Sequence, residues 1–449
     1  MTARMSGFPH QLQLTGADYF ILALDRQMRQ GGMPGNVCRL VLDLDGALEA
    51  KALRAVVAQS ETLNWIASLR MIRWLPFMSP RWRTNGARGG LPVALRAGEA
   101  GAGGREEFNR PLGEIRTGKA PGLNLELIGR PDGSTRLVLA WHHALMDVRG
   151  AEFLVRHIQD RAAGGAAVGT VAFNPDQTRT GPLDFWRGFP ARVRFGRESL
   201  AFITQACRPP LASLALAQGP PAAARNQFRI LRFSAEETRR MDEQVVRLNA
   251  SFRRGMFYLA ASIRALNAVF RRRGRPPESV LVPVPHDLRK RGMAGPIFSN
   301  QVSFLFFRVE AEALGGLGEM TADLGAQMME QIRRRTPESF ATVMELFRPL
   351  PLGFYARRIK QPTQGRFATF FFSDIGESLA GMETFLGLPV REVTHLAPAG
   401  GPPGLTVIFS RHRGRQSVVL SLVEGCLDEP ELELFEQALR RDLLSEAKA

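Results

Sequence analysis

The sequence predicts an α/β protein of two halves, 1–206 and 227–449, joined by a linker at 207–226. Three observations carry this. Short runs with period-two alternation interleave with segments whose apolar residues recur every three to four positions. From Cys207 to Asn226 the chain is rich in Pro, Ala and Gly, with Pro209-Pro210 and Pro220-Pro221 as breakers, and the alternation restarts after it. Finally, 449 residues exceed one hydrophobic core, because single cores stop growing at roughly 250–300 residues.

In the first half, Thr15–Gln30 reads as a helix ended by Gly31–Gly35, Val37–Leu44 alternates like a strand, and Glu49–Ser60 has helical spacing. Trp65–Pro80 is apolar and irregular, and the Gly- and Ala-rich Asn85–Arg105 reads as a loop. Leu123–Ile128 and Arg136–Trp141 read as strands joined by the turn Arg130-Pro131-Asp132-Gly133, after which the pattern is helical through His157. In the second half, Phe228–Phe233 reads as a strand, Ala235–Asn249 and Met256–Arg273 as helices, and Val280–Val284 and Asn300–Val309 as strands. Strands around Ala368–Phe372, Leu405–Ser410 and Ser417–Leu422 precede a helix from Glu429 to Leu444.

Composition narrows the function classes. With 45% hydrophobic and 23% charged residues the chain is an ordinary globular protein, not a disordered one. Three cysteines, Cys38, Cys207 and Cys426, are far apart and odd in number. They fit neither a disulfide framework nor a cysteine-cluster metal site, and they suit a reducing compartment. Met1 to Leu14 lacks the apolar run of a signal peptide, and no apolar stretch reaches the ~18–20 residues of a membrane span, so a cytoplasmic location is expected.

The 59 Lys and Arg against 43 Asp and Glu leave a net charge of +16, with clusters at Arg253–Arg254, Arg271–Arg275, Arg289–Arg291 and Arg333–Arg335. A nucleic-acid partner is not expected, because stacking aromatics are not interleaved with these clusters and only three tyrosines occur. Two readings stay open. The clusters are solvated helix ends, or they attract an anionic lipid, an acyl carrier protein or a phosphorylated cofactor. The second adds peripheral contact at the inner membrane face to the expected location.

The chemical signal is the pair His142-His143 at the abrupt end of the apolar run Leu137–Trp141, with Asp147 four residues after His143. A loop at a strand end is exposed while its origin is fixed, and a histidine there can serve as general base near neutral pH. A metal site lacks a third ligand at matching spacing. The other reading is structural, one ring hydrogen-bonded in the core, and His142 is the better candidate for it.

The run His142-His143-Ala144-Leu145-Met146-Asp147 matches the HHxxxD core of the condensation-domain and acyltransferase superfamily, which is chloramphenicol-acetyltransferase-like in fold. Three further stretches resemble that family in order and distance. They are Val282-Pro283-Val284-Pro285-His286-Asp287-Leu288-Arg289, Ser299-Asn300-Gln301-Val302-Ser303-Phe304 and Phe372-Ser373-Asp374-Ile375-Gly376, the last resembling a segment that crosses between the halves. Pro403-Gly404-Leu405 also fits, so the resemblance spans nearly the whole chain, with HHxxxD its one strong motif.

The resemblance implies two chloramphenicol-acetyltransferase-like subdomains, each a mixed β-sheet flanked by helices, with the active-site tunnel between them. It implies an acyltransferase in which His143, seconded by His142 and Asp147, deprotonates a hydroxyl or amine acceptor. That acceptor then attacks an acyl-CoA or acyl-carrier-protein thioester directly, with no tightly bound cofactor and no metal. Asp147 would pair with Arg289 across the halves. Asn300 and Ser303 would line the channel or steady the oxyanion; Ser303 reads equally as a strand residue facing solvent. Ser373 and Gly376 would border the channel or serve architecture.

Two departures stand out. Val148 replaces the glycine expected after the aspartate, and Pro121-Gly122-Leu123 and Gly255-Met256 replace the "PLW" and "ND" of wax ester synthases. The alternatives are a non-catalytic module that binds a carrier protein or lipid, and a stand-alone amide-forming condensation enzyme.

Overall fold

The computed structural model describes the chain except for residues 1–6, 34, 74–77, 85–89, 99–107, 110–114, 119–120, 165–170, 179–185, 215–224, 367, 401–402 and 446–449. In the first half the strands are β1 (Gln11–Gln13), β2 (Val37–Leu44), β3 (Leu69–Ile72), β4 (Arg81–Thr84), β5 (Val93–Ala97), β6 (Leu123–Gly129) and β7 (Thr135–His142). In the second they are β8 (Asn226–Arg232), β9 (Ser279–Asp287), β10 (Val302–Glu310), β11 (Phe371–Glu377), β12 (Thr384–Phe385), β13 (Leu388–Leu396), β14 (Leu405–His412) and β15 (Arg415–Val423).

A six-stranded sheet runs β12-β13-β2-β7-β6-β5 and a four-stranded sheet runs β11-β14-β15-β8; both are mixed. β9 and β10 form an antiparallel ribbon, and β1, β4 and β3 a small third sheet. β7 is buried at every position, which is why Leu137–Trp141 within it is a continuous apolar run and not an alternation. One apolar core surrounds β2 and β7, and a second surrounds the helix Arg254–Arg272, itself buried at most positions.

The boundary expected at 207–226 does not divide the sheets. β13 pairs antiparallel with β2, Val393 opposite Leu42, so a strand from the second half of the chain completes the sheet of the first. Leu379, Met382 and Phe385 enter the first core with it. The segment Phe372–Gly376 does not make this crossing: β11 stays in the four-stranded sheet, parallel to β14, and the hairpin β12–β13 crosses instead. Within the expected linker, Cys207, Leu211 and Leu214 are buried and Ala212 N–H donates to the Ser279 carbonyl. Composition marked this segment as broken, but its apolar side chains still pack. Residues 215–224, including Pro220-Pro221, lie outside the described residues.

Other elements differ from the periodic reading. Trp65–Pro80 is not irregular throughout: a helix, Glu61–Ser68, runs into β3, and Ser60 caps it by accepting from Leu63 N–H. β5 lies inside the expected loop Asn85–Arg105, of which 85–89 and 99–105 lie outside the described residues. Helices Phe189–Ala206, Leu317–Arg333, Thr336–Phe347 and Leu352–Lys360 complete the helical layer. Among the described residues no helix is long and apolar enough to cross a membrane.

Candidate active site

β7 ends where it does for a local reason. Trp141 Nε1–H donates to the Met146 carbonyl at 2.8 Å, Leu145 N–H to the His142 carbonyl at 2.8 Å, and Ala144 N–H to His142 Nδ1 at 3.2 Å. These bonds close residues 142–146 into a turn. Asp147 then caps the helix Val148–Ala162, its Oδ1 accepting from Gly150 N–H at 2.9 Å.

His142 is 1% exposed, and both its ring nitrogens are engaged. Nδ1 takes the Ala144 N–H, and Nε2 lies 3.3 Å from Asp25 Oδ1. Asp25 is also held by Arg29 and by Asn36 N–H. Burial pushes its carboxyl up, but His142, Asn36 and Arg29 outweigh burial and leave its pKa at about 2. Both ring nitrogens of His142 are thus held by the turn and by Asp25, and the ring does not line the cavity that His143 faces.

His143 is half-buried and lines a cavity of about 630 Å³ walled by both halves. Its N–H donates to the Asn36 carbonyl, and its own carbonyl accepts from Asn300 Nδ2, both at 2.9 Å. Nδ1 is buried, so Nε2 is the nitrogen left open to the cavity. Burial lowers the imidazole pKa, against upward pulls from its own backbone carbonyl, Asp147 and Asn300. Burial thus favours the neutral ring, the form in which a histidine takes up a proton.

Asp147 and Arg289 meet in a two-point ion pair, Nη1 to Oδ2 at 2.9 Å and Nη2 to Oδ1 at 3.0 Å. Gln301 N–H adds 2.8 Å to Oδ2, so four donors, with Gly150 N–H, fill the carboxylate. Asp147 contributes to the cavity wall, but it has no lone pair to spare for chemistry; it fixes the turn. Arg289 is buried, which takes it out of the solvated-cluster reading. Ser299 N–H closes the clasp by donating to the Leu145 carbonyl at 2.7 Å.

Asn300 is buried and does not line the cavity. It ties the His143 carbonyl to Asp18 Oδ1, which accepts from its backbone N–H at 2.8 Å and from Nδ2 at 2.9 Å. Burial pushes the Asp18 carboxyl up to about 7 despite the hydrogen bonds from Asn300 and Thr15. Ser303 is placed neither in the channel nor toward solvent. It faces the side of β10 opposite Val302 and Phe304, is fully buried, and donates to the Pro337 carbonyl at 2.6 Å.

Ser373 lines the cavity, and its hydroxyl has no partner among the described residues. Gly376 does not line it. This residue sits at φ +71° where β11 bulges, its N–H donating to Asp374 Oδ1 at 3.1 Å. Val148 opens the helix against Ile375 and Ile408 and puts its side chain in the cavity wall. Among the described residues no group of three His, Cys, Asp or Glu is placed to hold a metal ion.

Sequence reasoning missed Asp25, Asp18 and the Asn36 carbonyl as supports of the turn. Asp18 had a local signal, Thr15-Gly16-Ala17-Asp18 being a capping box, but nothing local announced its bonds to Asn300. Asp25 and Asn36 had none.

This is the fold of condensation domains and of chloramphenicol-acetyltransferase-like acyltransferases. The first condensation domain of the calcium-dependent antibiotic synthetase, solved with a substrate analogue, aligns over 98% of both chains with a TM-score of 0.70 at 15% identity. The trichothecene 15-O-acetyltransferase of Fusarium sporotrichioides aligns over 97% of this chain and 94% of its own, with a TM-score of 0.69 at 13% identity. The starter condensation domain of rhizomide synthetase, solved as a mutant with C8-CoA, aligns over 97% and 94%, with a TM-score of 0.65 at 14% identity. No protein-family model and no curated protein sequence matches the chain.

Proposed function

We propose that the protein is an acyltransferase that moves an acyl group from a CoA or acyl-carrier-protein thioester to a hydroxyl or amine. The observation that carries this is His143: an imidazole with one nitrogen buried and the other open to an apolar cavity between the halves, where burial favours the uncharged ring. Nε2 takes the proton as the acceptor oxygen or nitrogen attacks the thioester carbon. The carbon–sulfur bond then breaks, and the thiolate leaves with the proton that His143 returns. The turn held by Asp147, Arg289, Asn300 and His142 keeps the imidazole in place, and the free Ser373 hydroxyl, like that of Thr406, is a side-chain donor in the cavity wall that can serve a developing oxyanion. No covalent acyl-enzyme is needed: Cys38 and Cys207 line the cavity, but burial pushes both thiols up and disfavours the thiolate.

The fold is shared with a protein whose name records O-acetyl transfer and with a synthetase condensation domain solved with an acyl-CoA, and both support acyl transfer from a thioester. Val148 in the cavity wall favours the second reading, a module that binds an acyl group or its carrier without transfer. Thiol release from a panel of acyl-CoAs with alcohol and amine acceptors separates the two. Wild type is expected to turn over, and His143→Ala to lose roughly 10²–10⁴-fold. Equal rates in the two proteins would sink the assignment.

A further inference from the structure

The cavity has a second feature that catalysis at His143 does not use. Of the residues that line it, Leu200, Thr204, Arg358 and Gln361 are exposed, so the cavity opens at the surface between the helices Phe189–Ala206 and Leu352–Lys360. The segments behind these helices are tied together by Arg366, whose guanidinium donates to the Leu211 carbonyl. Around this mouth the surface is both apolar and basic. Phe354 is 50% exposed, Leu200 43% and Val193 40%, high values for side chains of that size.

Arg187, Arg194, Arg197 and Arg357 are exposed beside them and make no ion pair or hydrogen bond among the described residues. Some surface arginines elsewhere are matched, as Arg239, Arg333, Arg334 and Arg391 are. The sequence leaves this face short of acidic residues. No acidic residue occurs from Leu346 to Ser373, and Glu198 is the single one from Phe185 to Ala235. Among the described residues these cations are left open to a negative partner from outside the chain.

We infer that this two-helix face docks on an anionic lipid bilayer and that an apolar substrate enters the cavity from it. Exposed aliphatic and aromatic side chains interleaved with arginines are the composition of an interfacial helix, which buries its apolar groups at the headgroup boundary while its cations meet lipid phosphates. Charge alone would suit a small acidic protein equally. The apolar side chains decide for lipid, because they surround the mouth of a cavity whose walls there are Ile203, Phe340 and Ile359. A molecule that fills such a space resides in a membrane more readily than in water. The inference extends the acyl-transfer reading by naming where a substrate enters, but its test needs no turnover.

Sedimentation of the full chain with phosphatidylcholine vesicles, with and without phosphatidylglycerol, tests it. Binding is expected to the anionic vesicles alone and to weaken as salt rises. The triple variant Arg194→Glu, Arg197→Glu, Arg357→Glu is expected to bind more than tenfold more weakly, since each arginine near an anionic surface contributes roughly fivefold. The matching triple lysine variant retains binding, and both variants keep the wild-type circular dichroism and melting temperature.

Any of three results overturns the inference. They are wild-type protein that stays in the supernatant, partition indifferent to lipid charge, and binding to a purified acidic acyl carrier protein, but not to vesicles, that the Glu variant loses. Because sedimentation reads binding alone, a failed His143→Ala test leaves this result standing.

Discussion

At His143, burial lowers the pKa and outweighs the upward pulls of its own backbone carbonyl, Asp147 and Asn300. The acid limb of kcat/KM against pH reports the base of the free enzyme, so it is expected below the ordinary histidine value of about 6.5, with activity level through neutrality. A limb above 6.5 would show that another group, or a charged His143, governs the reaction. Asp147 and Arg289 are the other residue-scale test. Their side chains are 10% and 5% exposed, so removing Arg289 strands the Asp147 charge, and removing Asp147 leaves Arg289 with only the half-exposed Asp287 as counter-charge. Asp147→Ala and Arg289→Ala are each expected to cost about 3–5 kcal/mol in urea unfolding. The double variant should cost clearly less than their sum; strict additivity would mean that the pair does not act as a unit. The HHxxxD run made the histidines and the aspartate legible in the sequence. It left Asp25 and Asp18 invisible, because their partners lie over a hundred and nearly three hundred residues away.

Among the elements, the helix Val148–Ala162 carries the site, since its cap is Asp147 and its first turn sets where the histidine turn sits. Gly150, two residues into it, presses on the second half: a Cβ there would stand 2.3 Å from the Ile297 carbonyl oxygen and 3.0 Å from Met146 Cβ. Alanine for glycine inside a helix ordinarily stabilises by about 0.5–1 kcal/mol. Here the sign is expected to reverse, with Gly150→Ala losing roughly 1–3 kcal/mol through forced displacement of packed backbone. Thermal unfolding measures it, and a raised Tm would refute the close approach. Helices such as Ala235–Arg247 and Glu429–Leu444 were readable because capping boxes and apolar spacing are local. β13 was not. Its burial departs from strict alternation, and what makes it a strand is the β2 edge it pairs with.

For the whole molecule, the crossing hairpin makes the two halves one folding unit. The fragment 1–206 lacks β13, so β2 would expose an unpaired edge, and the apolar side chains that Leu379, Met382 and Phe385 cover would face water. Expressed alone, that fragment is expected to aggregate or to lack a cooperative unfolding transition. A soluble 1–206 with native-like circular dichroism and a sharp melt would show that the crossing is dispensable. The net charge of +16 also resolves at this scale. Some arginines are buried in pairs, as Arg289 and Arg136 are, some are matched on the surface, and an unmatched set surrounds the far mouth of the cavity.

The sequence by itself determined the α/β class, most strands and helices, and the turn that presents His143, because periodicity, caps and a six-residue motif act over short spans of chain. Tertiary structure alone decided which strands share a sheet, that His142 is a support, that Asn300 holds the His143 carbonyl, and that Ser303 turns away from the channel. Each of these depends on contacts between distant segments, where the energy comes from burial and from satisfying polar groups without water. No local pattern records which partner a side chain will meet there.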